Sequence, residues 1–228
     1  MADPRASRAG RRARWRLVFL GDLALDVVLR PDTPLALGTD VPGRVEFRAE
    51  LLHVPAYSLL SDALLPAAQR AVALARANGA LVSIDLASRG PLLAHGRREV
   101  LRRIERLGPD LLLGNEFEVR VLAAARGPQA LLDLAPVVCV KRGSEGCALW
   151  ARSSVRGGAT VTLEVLASKV PTADTTGAGD AFDAGFLLAW LDARAAGVAL
   201  PVALRRAALA GNRAAARHLA TPRRELVP

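Results

Sequence analysis

The run Asp174-Thr175-Thr176-Gly177-Ala178-Gly179-Asp180-Ala181-Phe182-Asp183-Ala184-Gly185-Phe186 sets a carboxylate directly among small residues. Gly177, Ala178 and Gly179 let backbone amides converge on an anion. The apolar residues that follow predict a helix over 178–191, whose N-terminal dipole adds to the same positive field. A carboxylate beside a bound anion is repelled by it unless it has a task there. Asp180 can take a proton from a hydroxyl while the amides of 177–179 hold the phosphoryl group under attack. The same letters also fit a glycine-rich helix start, with Asp180 as a dipole partner in the first turn.

The full string, rather than Gly-Ala-Gly-Asp alone, favours the chemical reading. It resembles, almost letter for letter, the C-terminal signature of the ribokinase-like (PfkB) carbohydrate kinases. That resemblance implies an ATP-dependent phosphotransferase moving the γ-phosphate to a hydroxyl of a sugar or nucleoside. It makes Asp180 the general base and Gly177, Ala178 and Gly179 the anion hole, supported by Asp174 and Thr176. ATP and Mg²⁺ are the implied cofactors, and a small sugar or nucleoside is the implied partner.

Other motifs extend the resemblance over 17–220. Gly21-Asp22, with Asp26 a few residues on, stands where the family's substrate hydroxyls are bound; the alternative is a turn Asp and a solvent-facing strand Asp. Asp85 closes a strand pattern in Asp85-Leu86-Ala87-Ser88-Arg89, where relatives carry Asp-x-Asn, and reads either as a phosphate- or metal-facing group or as a loop cap. Asn115-Glu116-Phe117-Glu118 matches the Asn-x-x-Glu motif, which implies phosphate positioning by Asn115 and Mg²⁺ by Glu118. The same spacing predicts a capping box, and both can hold together. Val140-Lys141-Arg142-Gly143-Ser144-Glu145-Gly146 resembles the nucleotide-side loop. Gly143 and Gly146 would then approach adenine or ribose and Lys141 a phosphate, although an ordinary hairpin accounts for the glycines equally well. Thr176 and Asn212 complete the implied nucleotide contacts, Asn212 on the helix that lines the adenine pocket. His53, His95 and His218 have no partner spacing for a triad or metal site and read as structural or surface residues.

These residues need a scaffold that brings them to one edge. Strand patterns alternating with helical ones predict a three-layer α/β/α ribokinase-like domain with a mainly parallel sheet and a reduced lid. Strands are expected at 17–20, 25–29, 44–48, 51–54, 80–84, 111–113, 137–140, Cys147–Ala151 and 161–166. Helices are expected at 62–78, 92–107, 116–125, 178–191 and 202–219. The domain is read as 16–222, flanked by a basic tail at 1–15 and a short tail at 223–228.

Half of the 228 residues are apolar, enough for one large core, and aromatics make up only 4%, so Leu, Val and Ala must fill it. The net charge of +9 comes almost wholly from Arg, since lysine occurs only at Lys141 and Lys169. The arginines are scattered and not interleaved with aromatics, which argues against a nucleic-acid surface. No stretch reaches membrane-span length, and the Arg11-Arg12 pair lacks an apolar signal core behind it. Cys139 and Cys147 lack metal spacing and read as buried free thiols in a reducing cytoplasm.

One part of the family pattern is missing. Between the opening strands and the segment from Leu51, relatives carry a Gly-Gly-x-x-x-Asn substrate motif and further lid strands. Here only Ala49 and Glu50 intervene. The nucleotide and base half is expected complete, the acceptor half shortened, and a homodimer is one way to supply a lid. The alternative is a catalytically impaired nucleotide- or partner-binding remnant.

Overall fold

The computed structural model describes residues 17–19, 30–31, 43–44, 49–87, 89–153, 158–171 and 174–221. Its strands in chain order are β1 (Leu17–Phe19), β2 (Arg30–Pro31), β3 (Gly43–Arg44), β4 (Leu51–Pro55), β5 (Leu81–Asp85), β6 (Leu111–Asn115), β7 (Val137–Lys141), β8 (Cys147–Ala151) and β9 (Val161–Val165). The helices are α1 (Ala56–Leu60), α2 (Leu65–Ala77), α3 (Arg89–His95), α4 (Arg97–Leu107), α5 (Glu116–Ala123), α6 (Ala178–Ala195) and α7 (Leu200–Ala220).

Seven strands form one sheet in the order β1-β4-β5-β6-β7-β8-β9, parallel from β1 to β7 and antiparallel from β7 to β9. The sequences of β4 to β7 are LLHVP, LVSID, LLLGN and VVCVK. Such near-continuous apolar runs suit strands covered on both faces. Alternate residues serve the two faces. Leu52, Val54, Ile84, Leu112 and Val138 pack with Val72, Ile104 and Leu122 of the crossover helices α2, α4 and α5. Leu51, Leu111, Leu113, Val137 and Cys139 pack with Phe186, Leu187 and Trp190 of α6 and with Leu204 and Ala208 of α7. The result is the expected three-layer α/β/α fold. Phe186 is fully buried, and truncating such a side chain to Ala costs about 3–5 kcal/mol.

The small-residue faces of α6 and α7 let the two helices approach closely. A Cβ on Gly185 would lie 2.7 Å from the Ala214 Cβ, and one on Gly211 would lie 2.8 Å from the Phe182 ring. α2 stops at Asn78-Gly79, where Gly79 takes φ +71°, a left-handed conformation that closes a helix most cheaply with glycine.

Some boundaries differ from the sequence reading. The helix expected over 92–107 is two helices, α3 and α4, separated by Gly96 at φ +72°. Residues 56–60 form the short helix α1 directly after β4. Of the strand expected at 44–48, Arg44 is described, within β3 paired antiparallel to β2. The strand expected at 25–29, Asp22, Asp26 and the two tails lie outside the described residues.

Candidate active site

The C-terminal ends of the parallel strands and the start of α6 converge at one end of the sheet. Open α/β sheets bind ligands at this edge. Gly177 is the N-cap of α6 at φ +77°, and no side chain caps the helix. The left-handed glycine followed by helical residues has the geometry of an anion nest; the Ala178 amide donates to the Thr175 carbonyl at 3.1 Å, and the uncapped first turn leaves the Gly179 amide for a ligand. The turn before it is braced twice. The Thr176 amide donates to Asp174 Oδ1 at 2.9 Å, and Nε2 of His218 on α7 lies 2.9 Å from the Thr176 carbonyl, which accepts from it. Asp180 stands exposed in the first turn of α6, directly after the nest.

Beside the nest opens a cleft of about 320 Å³ between the β7–β8 turn and helices α6 and α7. Gly143, Gly146, Ala178, Gly179, Phe182 and Asn212 are among its lining residues. Gly146 holds φ +94°, and a Cβ there would fall 2.1 Å from the Val165 carbonyl oxygen. The turn therefore needs glycine to lie flat against the end of β9. Asn212 is buried, and its amide donates to the carbonyls of Val165 and Leu166, both at 3.2 Å. It ties α7 to the end of β9 and presents its remaining surface to the cleft.

Asn115 and Glu118 form a complete capping box on α5. The Glu118 amide donates to Asn115 Oδ1 at 3.0 Å, and Glu118 Oε2 accepts from the Asn115 amide at 2.9 Å. Asn115 ends β6 in register with Lys141 on β7, so both stand at the same edge. Neither Asp180, Asn115 nor Glu118 lines the cleft itself.

Lys141, expected to face a phosphate, lines this cleft and is also held by two carboxylates. Its ammonium lies 3.1 and 3.0 Å from the two carboxylate oxygens of Asp183 and 3.0 Å from Asp85 Oδ1. Asp85, read as phosphate-facing or loop-capping, is buried against this ammonium. Burial works against the charge on Lys141, but Asp183 and then Asp85 outweigh it and raise its pKa. Burial and then the charge of Asp85 push the Asp183 carboxyl well above its ordinary range, with Lys141 opposing. Next to them His53 Nδ1 lies 2.8 Å from Ser83 Oγ, and His53 Nε2 lies 3.9 Å from Asp183 Oδ2. Burial chiefly lowers the His53 pKa to about 4; Asp85 pulls it up and Lys141 pushes it further down.

Asp183 is the residue that motif reading passes over. Its signal is a carboxylate in helical spacing with Phe186, Leu187 and Trp190, inside an apolar stripe. Such a charge is buried only with a partner.

ATP and Mg²⁺ suit different parts of this edge. The glycine-lined cleft beside an uncapped helix start has the form and polarity for a nucleotide and its phosphates. Among the described residues no group of three or more His, Cys, Asp or Glu could hold a metal on its own. Mg²⁺ on a nucleotide needs only one or two carboxylates besides phosphate and water; Glu118, the carboxylate expected for it, is buried with Oε2 engaged by the Asn115 amide. A larger hollow of about 480 Å³ lies at the opposite end of the sheet, where β5, β6 and β7 begin, and none of the candidate residues reaches it. Among the described residues no helix is long and apolar enough to cross a membrane.

Comparison with known proteins bears on the family and the fold. Residues 47–223 match the pfkB family of carbohydrate kinases. A 55-residue segment is 51% identical to an uncharacterized sugar kinase of Archaeoglobus fulgidus, covering 24% of this chain and 19% of that protein. Among solved structures, adenosine kinase from Sinorhizobium meliloti superimposes with a TM-score of 0.63 at 22% identity, over 76% of this chain and 50% of that one. A fructokinase with bound ATP from Xylella fastidiosa gives 0.63 at 20% identity, over 76% and 56%. At these identities the structural likeness speaks for the fold. The chain spans about half the length of these solved kinases.

Proposed function

Because this chain belongs to the pfkB family of carbohydrate kinases, we propose that it is an ATP-dependent phosphotransferase acting on a hydroxyl of a sugar or nucleoside. The observation that carries the proposal is the position of Asp180, exposed in the first turn of α6 immediately after the uncapped amide nest. The β- and γ-phosphates lie at the nest, and the nucleoside part of ATP extends into the cleft lined by Gly143, Gly146 and Asn212. Asp180 accepts the proton of the acceptor hydroxyl as that oxygen attacks in line. Amides at the start of α6, that of Gly179 first, donate to the transferring group, where negative charge gathers; that of Ala178 would first have to leave the Thr175 carbonyl. Bound Mg²⁺ offsets phosphate charge that repels the nucleophile, and Glu118 with Asn115 would hold it or its waters. Asp22 and Asp26 are proposed for the acceptor hydroxyls. Two free cysteines and a nucleotide substrate suit a reducing cytoplasm.

Asp180→Asn tests the base directly. It removes the proton acceptor and keeps the shape of the side chain. Turnover should become undetectable while the affinity for MgATP changes by less than about threefold. An Asn variant that keeps most of the wild-type rate would sink the assignment.

A second reading has its own observation. Only Ala49 and Glu50 separate β4 from the segment before it, where relatives carry their acceptor motif. A chain with the nucleotide half alone would bind MgATP without transferring phosphate. A thermal melt with MgATP and a sugar-dependent ADP assay separate the two. Ligand that binds only the folded state raises the midpoint in both cases, whereas a phosphorylated sugar appears only in the first. A homodimer that completes the acceptor side is read from the molecular mass in solution.

A further inference from the structure

Beneath the amide nest lies an ionic group of two buried carboxylates and one ammonium that also borders the cleft. Lys141 comes from β7, Asp85 from β5 and Asp183 from α6, and β6 runs between the two strands. One ammonium therefore joins two strands that are not neighbours and a helix from the layer above. Burying three ionisable groups is costly, and a buried ion pair is weak as a source of stability. Its attested use is to fix one arrangement among several that apolar packing tolerates.

The arrangement fixed here is the start of α6. The helix lies on the sheet through Phe186, Leu187 and Trp190, and apolar contacts of this kind resist lifting more than small rotations or slides. The contact of Lys141 with both oxygens of Asp183, at 3.1 and 3.0 Å, is directional. Asp183 follows Asp180 by three residues, which puts the two on adjoining stripes of one helical turn. A Cβ on Gly179 would lie 3.5 Å from the Lys141 ammonium, so the cation stands directly under the nest.

We propose that Lys141 is a positioning residue. Gripping Asp183 from the sheet, it sets the height and rotation of the first turn of α6, and with them the amide nest and Asp180. The consequence for Asp180 rests on the kinase reading; the consequence for the helix start does not. Burial and then the neighbouring Asp85 charge raise the Asp183 pKa, with the Lys141 contact opposing.

The test compares the full chain with Lys141→Met and Asp183→Asn. Amide hydrogen exchange reads the helix start without any need for activity. Lys141→Met should speed exchange in a peptide covering 177–185 by about tenfold or more, and leave one covering 187–195 within about threefold. Asp183→Asn keeps an acceptor for the ammonium and a one-to-one pair with Asp85, so it should stay within about threefold in both peptides. In the kinase assay Lys141→Met should lower kcat by about 10- to 100-fold, the scale of a misplacement near 1 Å. The KM for ATP should stay within about threefold.

Unchanged exchange at 177–185 would overturn the proposal, as would an equal rise along the whole of α6. Weakened MgATP binding with unchanged exchange would make Lys141 a phosphate ligand instead, which also overturns it. A wild-type chain without turnover refutes the kinase reading, and the exchange comparison still decides the role of Lys141. If Lys141→Met does not fold, Asp183→Leu, which leaves the Lys141–Asp85 pair, takes its place with the same expected pattern.

Discussion

Acidification should destabilise this fold through a single buried imidazole, and the size of the effect can be worked out. His53 is buried in β4 against Ser83 and beside Asp183, and its pKa falls from 6.5 to about 4. The unfolded chain therefore binds a proton on this ring from pH 6.5 downward, while the folded chain declines it until about pH 4. A depressed folded-state pKa on a base favours the unfolded state as pH falls, so stability is present above pH 6.5 and lost below it. By pH 5 the loss is roughly 2 kcal/mol. For a chain of this size that is about 4–8 °C in Tm. Asp183 acts in the opposite sense. Its raised carboxyl pKa gives stability that is full at low pH and lost as pH rises through the folded value. The His53 contribution is therefore read as a difference. Urea unfolding of the wild type and of His53→Asn is measured at pH 7.5 and pH 5. The Asn variant keeps a hydrogen-bonding partner for Ser83 and cannot titrate. Its loss on acidification should be smaller than that of the wild type by roughly 2 kcal/mol. Equal losses in the two proteins would refute a neutral, buried His53.

Other outcomes follow from single positions. Gly146→Ala should lower the unfolding free energy by more than about 2 kcal/mol, because φ is +94° and the new Cβ would meet backbone at 2.1 Å; a shift below 0.5 kcal/mol in chemical denaturation would show that the turn adapts. Cys139 and Cys147 are buried, and burial and then Cys147 hold the Cys139 thiol well above its usual pKa. Both should react with a thiol reagent only on unfolding, at the same rate in denaturant as a free thiol, and fast reaction in the native protein would contradict their burial. Phe186→Ala should cost about 3–5 kcal/mol, measured by the same denaturation, since the ring is fully buried between α6 and the sheet.

The strands were legible because their apolar runs are nearly unbroken, and β8 matched its expected bounds of Cys147–Ala151. The start of α6 at Ala178 was legible because glycines ahead of an apolar helical pattern mark a helix start. The split of α3 from α4 was less so. Nothing in the periodicity of 92–107 opposes one helix, and the break depends on the left-handed conformation at Gly96. Lys141 and Asp183 were the hardest to read. Their meaning lies in a contact across 42 residues of sequence, and a lysine at a strand end looks the same whether it faces a phosphate or a carboxylate. Asp85 is ambiguous for the same reason, since the strand end that presents it to ligands also presents it to Lys141.

The long-range character of that contact also bears on the order of folding. Residues 85, 141 and 183 are joined only when β5, β7 and α6 have all docked. Each closure spends chain entropy before the contact returns anything. Local pieces such as the β7–β8 hairpin and the α6–α7 pair can form early, but the turn at 174–180 gains its final shape only when the sheet beneath it is complete. On the kinase reading, recovery of nucleotide affinity in refolding should lag behind recovery of helical signal. Binding competence would then be a late reporter of the native state, and the proposed nucleotide a selective probe for fully folded molecules.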